Sequence, residues 1–495
     1  MLAQKLILNY SSRILIQITS MIVGIFVARI AGPTALGIVA FGMSFVSMFQ
    51  FIADFGTGTA HVKLISEGRD IGTCISTFTR IKLLLTAVFF FFVVCAIFVQ
   101  YAILHKSFET HEHFIVVLIW LASIVLTQIS LIPISTFIGR TEQAKQDVPS
   151  FIQSIIVQIL RLVAVIVGLG AIGLSGAQLL GAIILVVIYF QLYKNYPRGH
   201  YDHSLAMEYV KISIPIIIIG FASNLVLYLD RVILQYYSDA RQVGYYAAGI
   251  SLSGFVQTIG NTVGLLFFPM FSSAVARNDH EYIHDTIHRF ERFTYIFIMP
   301  FVIFVVIYSE IIVRVFLGKQ YVPSGPVLAV MVAGSFFYVT NMPYGNFILG
   351  MNKFRLGAWL QSMSLFLFIA LNVFILKRIG IGYQALGTAL AVSSNSLAVG
   401  YSFRFFAGRI SPQLEVWKNE RYLLYGFILT GIGITLKNYL HTDQSWTTSI
   451  VFAVCFFLLT YVLMFLMKWI TKDDLRQLQK ISDVKKIYTY IRTEL

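Results

Sequence analysis

Long apolar runs separated by short polar connections alternate along almost the whole chain. The runs fall near residues 7–30, 35–57, 81–104, 114–138, 150–171, 173–193, 211–238, 243–272, 293–316, 324–350, 357–377, 382–405, 420–440 and 447–469. A helix rising about 1.5 Å per residue crosses ~30 Å of hydrocarbon in about 20 residues, and each run reaches that length. The pattern predicts about fourteen transmembrane helices. Around the glycine-rich joint 168–176 the apolar run is about twice a bilayer span, so two helices are expected there rather than one.

The connections differ in charge. One alternate set, which includes the basic C-terminal stretch, carries about 26 lysines and arginines against 7 in the other. Lys63, Arg69, Arg80, Lys82, Arg404 and Arg409 belong to the rich set, and Arg29, Arg241 and Lys319 to the poor one. Positive charge is retained on the cytoplasmic side, which predicts that both termini face the cytoplasm. The first apolar run has no small-residue cleavage site before the next begins and is expected to remain as a helix. The loop 272–292 mixes both signs and predicts a surface helix. In 472–492 a stripe of Leu475, Leu478, Ile481, Val484 and Ile487 predicts an amphipathic helix on the inner leaflet.

Composition reinforces the pattern. The chain has 495 residues, 57% of them hydrophobic and 12% charged, with a mean hydropathy of +0.78. This is an all-α integral membrane composition. The formal charge of +14 is spread between apolar runs, which points to lipid and topology and away from nucleic acid. Three scattered cysteines imply neither a disulfide framework nor a metal knuckle. No phosphate-binding glycine loop ending in Gly-Lys-Ser/Thr occurs, so nucleotide hydrolysis through such a loop is not expected.

Four arginines, Arg13, Arg161, Arg231 and Arg314, sit inside apolar runs. A guanidinium in hydrocarbon costs at least a few kcal/mol, so each needs a partner, water or an anionic ligand. Polar stripes extend from three of them: Asn9, Arg13, Gln17 and Ser20; Ser154, Gln158 and Arg161; Asn224, Arg231 and Gln235. The second run repeats the pattern with Ser47, Gln50 and Asp54. Such spacing puts polar groups on one helical face, as the lining of a wet cavity requires. With the termini inside, Arg13, Arg161 and Arg231 lie at rising depth, which predicts a ladder of cationic sites for an anionic group. Asp230 and Arg231 are adjacent and point about 100° apart on a helix, so they are not expected to pair with each other. Glu310 and Arg314 are spaced for an intrahelical pair. Asp54, Asp230 and Glu310 are candidates for binding a coupling ion or proton, with a cap or loop anchor the competing reading of Asp54.

The two halves echo one another. Sliding Leu36–Gln50 onto Val243–Gln257 matches Gly37 with Gly244, Ala40 with Ala247, Gly42 with Gly249 and Ser44 with Ser251. A second match sets Pro133, Phe137 and Ile138 on Pro343, Phe347 and Ile348. An internal duplication is expected.

The segments Ala28-Arg29-Ile30-Ala31-Gly32-Pro33, Asp54-Phe55-Gly56 with Ile65-Ser66-Glu67-Gly68, and Asp230-Arg231-Val232-Ile233-Leu234 before Val243-Gly244-Tyr245 carry a resemblance. In their order and spacing the chain resembles the polysaccharide transporter or O-antigen flippase family, within the multidrug/oligosaccharidyl-lipid/polysaccharide flippase superfamily. The resemblance implies two six-helix lobes related by a pseudo-two-fold, an N-lobe at 1–200 and a C-lobe at 201–410. Two further helices at 411–470 and a basic amphipathic tail at 471–495 would follow. It also implies alternating access that carries a lipid-linked oligosaccharide across the plasma membrane for surface polysaccharide assembly. Arginines offer forked donors to a (pyro)phosphate, and Gln and Asn meet sugar hydroxyls. The headgroup cavity would use Arg13, Gln17, Gln50 and Arg161 in the first half and Asn224, Asp230 and Arg231 in the second. The implied partners are the lipid-linked substrate, membrane lipids and polysaccharide polymerase or assembly proteins, around a monomer that needs no cofactor.

Two rival readings are a cation-coupled exporter of small molecules and a membrane glycosyltransferase. The arginines favour anionic cargo over cationic drugs. The best enzymatic stretch, His105 to His113, is a short outer loop, and a solvated polar loop is the plainer expectation for it.

Overall fold

The computed structural model describes residues 2–103, 108–439 and 446–466. The predicted tail helix at 472–492 and His105 lie outside the described residues, as do the side chains of residues 2–15. Helices account for nearly all of the rest: α1 Leu2–Ser47, α2 Gln50–Asp54, α3 Thr57–Ser66, α4 Ile71–Phe98, α5 His111–Gly139, α6 Gln143–Ile166, α7 Gly170–Leu192 and α8 His203–Tyr237. They continue with α9 Ala240–Ala276, α10 His280–Phe293, α11 Met299–Leu317, α12 Gly325–Gly350, α13 Phe354–Arg378, α14 Gln384–Ile410, α15 Arg421–Tyr439 and α16 Trp446–Leu466. Among the described residues, nine helical stretches are long and apolar enough to cross a membrane.

Several helices begin at the side-chain caps their sequences offer. Asp70 accepts from Thr73 N at 2.8 Å, Asp202 from Ser204 N at 2.8 Å and Asp279 from Tyr282 N at 3.1 Å. Each satisfies an amide that the first turn leaves open. Breaks also fall where the sequence marks them. Gly32, at φ 79°, kinks α1 just before Pro33 and separates the first two spans. Gly168 and Gly170, at φ 79° and 57°, part α6 from α7. Side chains suffer steric strain in this left-handed region and glycine does not.

The expected span 35–57 is the exception. It is broken twice, after Ser47 and at Phe55–Gly56, and its last part continues as α3 to Ser66. Phe55 and Gly56 both take positive φ, 46° and 71°. No proline marks these breaks. Their exposed carbonyls are met instead by side chains from other helices, described below.

The chain divides into two compact units, one running to Ala247 and the other beginning at Ala248. In the first, α5 packs along α6 and α7, while α1 lies against α5 and α6. Its polar centre is His61, buried and stacked 4.1 Å from Phe78, with Nδ1 2.6 Å from Tyr209 Oη and Nε2 2.9 Å from Thr136 Oγ1. Ala60, Leu64, Cys74, Ile132 and Leu205 enclose it. The second unit is built on α12 packed against α14 and α11. Ile283 and Ile287 bury the apolar face of α10, the expected surface helix, against Phe271, Tyr344, Phe347 and Val416. Phe91, Ile166, Phe366 and Phe427 are each more than 60% exposed, the inverse of a water-soluble surface and the character of a lipid-facing one.

Within the first unit, the two repeat-matched glycines meet reciprocally. A Cβ on Gly37 would lie 1.7 Å from Ala240 O, and one on Gly244 would lie 1.8 Å from Pro33 O. Pro33 and Ala240 are themselves matched by the alignment that sets Gly37 on Gly244. A contact that repeats with its partners exchanged is what a local two-fold produces. Only hydrogen fits in the space, so the helix backbones touch.

Connectors carry the ordinary surface ion pairs. Glu142, between α5 and α6, accepts from Arg140 Nε at 2.8 Å, from Lys145 Nζ at 2.9 Å and from the Tyr196 hydroxyl. Burial pushes its carboxyl up, but hydrogen bonds from Tyr196, Lys145 and Arg140 outweigh that and hold it down at about 2.

Candidate functional site

The sequence-predicted polar residues fall into separate groups. Arg13 is on α1, but its side chain lies outside the described residues. Gln17, one turn on, is exposed. Further along the same helix, Ser20 accepts from Gln158 Nε2 of α6 at 2.7 Å, so part of each predicted stripe is used to join α1 to α6. Arg161, on α6, sends Nη2 to Gln178 Oε1 of α7 at 3.3 Å. A neutral amide orients this guanidinium and leaves its charge without a carboxylate in that contact.

A second group surrounds α2. Gln50 is its first residue and is half-buried, and Asp54 is its last. Asn224 of α8 reaches the break before α2. Its amide nitrogen, in the orientation that satisfies hydrogen bonding, donates to Ser47 O at 3.2 Å and Met48 O at 3.1 Å. These carbonyls lie where the α1 ladder ends, so Asn224 acts as a remote cap for a broken transmembrane helix. The break after α2 has its own cap. Lys82 of α4 donates to Ala53 O at 2.8 Å and to Gln128 Oε1 of α5 at 2.7 Å, with Asp54 Oδ1 3.6 Å away.

The charge pattern places Lys82 in a cytoplasmic connection, and it is in fact fully buried. Its position near the end of an apolar run makes it look like a topology signal. The signal for burial is indirect, since α4 starts at Ile71 and runs well past Lys82 into the apolar stretch.

The third group is Asp230 and Arg231. Asp230 is buried and accepts from Tyr246 Oη at 2.7 Å. Contrary to the expectation from helical angles, Arg231 does reach its neighbour: Nη1 lies 3.4 Å from Asp230 Oδ1 and donates to Leu227 O at 3.0 Å. The long arginine stem folds back along its own helix, a freedom that Cβ directions ignore. Glu310, in the second unit, is exposed on α11 and packs its side chain over Gly325.

The described residues before and at the start of α5 have a structural use. Glu109 accepts from Ala240 N at 2.9 Å and Gln235 Nε2 at 2.6 Å, while Glu112 accepts from Ala171 N at 3.2 Å. Two carboxylates thus cap the starts of α9 and α7, where free amides and the helix dipole favour negative charge. A solvated loop was expected; Glu109, Thr110 and His111 are exposed, and the two carboxylates also anchor neighbouring helices. Among the described residues no cluster of histidine, cysteine and carboxylate side chains could hold a metal ion.

The second unit contains the most heavily compensated charge, which sequence reading missed. Arg404 of α14 is fully buried between Glu291 of α10 and Glu420 of the following connection. Tyr344 donates to Glu291 at 2.7 Å, Asn419 Nδ2 to the same carboxylate at 2.9 Å and Tyr401 to Glu420 at 3.0 Å. The guanidinium also lies over the rings of Tyr344, Tyr401 and Trp417 at 4.9, 5.7 and 5.5 Å. Beside it, Phe405, Arg409, Leu414, Trp417 and Lys418 line an open groove of about 510 Å³, and no predicted site residue borders it.

Comparison with known proteins gives this arrangement a setting. Residues 26–326, more than half of the chain, match the family described as "Polysaccharide biosynthesis protein". A Haloferax volcanii protein described as a low-salt glycan biosynthesis flippase is 21% identical over 374 residues, 75% of this chain and 77% of that one. A Shigella flexneri protein described as an O-antigen transporter is 21% identical over 182 residues, 37% of this chain and only 43% of its relative's length. The fold resembles the inward closed conformation of the lipid II flippase MurJ, with a TM-score of 0.68 at 17% identity over 93% of this chain and 98% of that one. A multidrug resistance MATE family transporter, inward-facing, gives a TM-score of 0.63 at 10% identity, over 81% of this chain and 95% of the other. The apolar helices and these likenesses make this a multi-pass membrane protein of transporter fold and bear out the resemblance drawn from sequence. The chain belongs to the polysaccharide biosynthesis protein family.

Proposed function

We propose that the chain is a flippase that carries a lipid-linked oligosaccharide from the cytoplasmic to the outer leaflet by alternating access, for cell-surface polysaccharide assembly. One observation carries the reading: the family match spans 26–326 and so takes in Gln50, Asp54, Arg161, Asn224, Asp230 and Arg231. Both named relatives are transporters by description, which supports a non-enzymatic role. A polyprenyl (pyro)phosphate headgroup is anionic and sugar-bearing, and neither part dissolves in hydrocarbon. Arg13, Arg161 and Arg231 would supply forked donors to its phosphate, while Gln17, Gln50 and Asn224 would meet its sugar. Asp230, tied to Tyr246, would hold Arg231 in place. Asp54, Asp230 and Glu310 are the acidic candidates for a coupled ion or proton.

The working topology has both termini in the cytoplasm of a plasma membrane protein, an N-lobe at 1–200, a C-lobe at 201–410 and two closing helices. The protein would act as a monomer beside polymerase or assembly proteins. Reconstitution into liposomes with a labelled lipid-linked sugar tests the function. Wild type should expose the label to the opposite leaflet, while Arg13→Ala and Arg231→Ala should slow this at least tenfold. Inactive wild type, or both variants at full rate, overturns the reading.

A further inference from the structure

The surroundings of Lys82 are those of a bound monovalent cation. Its ammonium is wholly removed from solvent, and the three oxygens that face it come from three different origins: a backbone carbonyl at a helix break, a side-chain amide and a carboxylate. Ala53 O is available because Phe55 and Gly56 leave the helical conformation, so the normal intrahelical donor is missing. Gln128 is fully buried and presents its oxygen to the ammonium, while its own Nε2 has no hydrogen-bond partner among the described residues. An amide left with an unsatisfied donor is held in that orientation by something that needs its oxygen. Asp54 stays half-exposed and supplies the negative charge at longer range.

We propose that Ala53 O, Gln128 Oε1 and the Asp54 carboxylate form a monovalent-cation site in which the Lys82 ammonium is the resident cation. An ammonium is a compact point charge that takes several oxygens at once, which suits such a cage. Because the cation is covalently attached, it cannot leave with the transport cycle. Asp54, half in water, thus has a built-in counter-charge 3.6 Å away, which on the transport reading makes it a weaker coupling candidate than Asp230 or Glu310. The inference concerns occupancy of the cage and stands whether or not the chain flips a lipid.

Removing the tether should turn a built-in cation into an exchangeable one. The test is thermal unfolding of the full, detergent-purified chain in sodium, ammonium or N-methylglucamine chloride at equal ionic strength. Lys82→Ala should unfold below wild type in N-methylglucamine, and ammonium or sodium should close at least half of that gap, saturably. Lys82→Met fills the space with an apolar chain, so its gap should be the same in all three salts. An equal gap for Lys82→Ala in every salt, or rescue of Lys82→Met as well, overturns the proposal. Should Lys82→Ala not accumulate, the Lys82→Met and Gln128→Leu cycle decides: the double variant should lose clearly less than the two single losses combined, and simple additivity overturns the proposal.

Discussion

Lys82 and Arg404 are both cations with no solvent exposure, one in each compact unit, yet the protein compensates them in different ways. Arg404 is enclosed by two carboxylates, three aromatic faces and the hydroxyl of Tyr344, which lies 3.3 Å from its Nη2. Lys82 has two neutral oxygens and one carboxylate, itself half in water. In the Arg404 cluster one counter-charge, Glu291, is itself fully buried and depends on the cation. Glu291 has no exposure at all, while Glu420 is partly exposed. Around Lys82 the partners are mostly groups that lose a hydrogen bond, and no fully buried anion depends on it. Burial alone therefore does not fix how much a charge matters. What counts is what its removal strands.

The largest expected effect is at Arg404. Arg404→Leu leaves Glu291 charged and enclosed, and breaking a buried pair from one side costs about 3–5 kcal/mol. In thermal or denaturant unfolding of the purified chain, this variant should be less stable than Lys82→Met, Glu420→Gln or Glu142→Gln. Adding Glu291→Gln removes the stranded charge and should return more than half of the loss. If Arg404→Leu is mild, the cluster does not act as a closed unit and the comparison fails.

Lys82→Met comes next. It strands Ala53 O and Gln128 Oε1, while Asp54 can hydrate, so the expected loss is about 1–3 kcal/mol. A loss as large as that of Arg404→Leu would mean that Asp54 depends on Lys82 as fully as Glu291 depends on Arg404. The carboxylates sharpen the same point within one cluster. Glu291→Gln should cost more than Glu420→Gln, because Glu420 keeps some solvent contact and Glu291 keeps none. Equal losses would show that exposure of the anion is irrelevant.

Neither cation was legible as buried from sequence, and the reason is physical. Lys82 and Arg404 sit near the ends of apolar runs, where a lysine or arginine is normally an interfacial topology charge. Their partners lie far away along the chain and arrive only through tertiary packing: Gln128 and Ala53 for Lys82, Glu291 and Tyr344 for Arg404. Length and apolarity made the spans readable, since every backbone group in hydrocarbon must be paired and helices do this locally. Gly32-Pro33 and the joint at Gly168 announced their breaks through backbone conformation. The repeat match of Gly37 with Gly244 anticipated two positions that meet each other in space. The break around α2 was not readable, because its caps, Asn224 and Lys82, are supplied by α8 and α4. Of the predicted site residues, Gln50 and Asp54 fall at the two ends of α2. The Asp230–Arg231 contact was missed because a helical-wheel argument treats a long side chain as a fixed vector.

Glu142 provides the exposed end of the comparison and the smallest expected effect. It has two cationic partners, Arg140 and Lys145, but its side chain is 22% exposed and lies in a connector. Surface pairs of this kind contribute about 0–1 kcal/mol, so Glu142→Gln should lower stability only slightly at neutral pH. Its pH dependence gives it away. The folded-state carboxyl is held at about 2, below the ordinary value of 4.5, so its contribution is fully present above pH 4.5 and is lost as pH falls toward 2. The difference between wild type and Glu142→Gln should thus stay constant from neutral pH to about 5 and shrink below it, as read by unfolding midpoints across that range. A gap that widens on acidification would mean that the carboxyl is stabilised in its protonated form, and a gap as large as that of Glu291→Gln would show that desolvation does not set the scale.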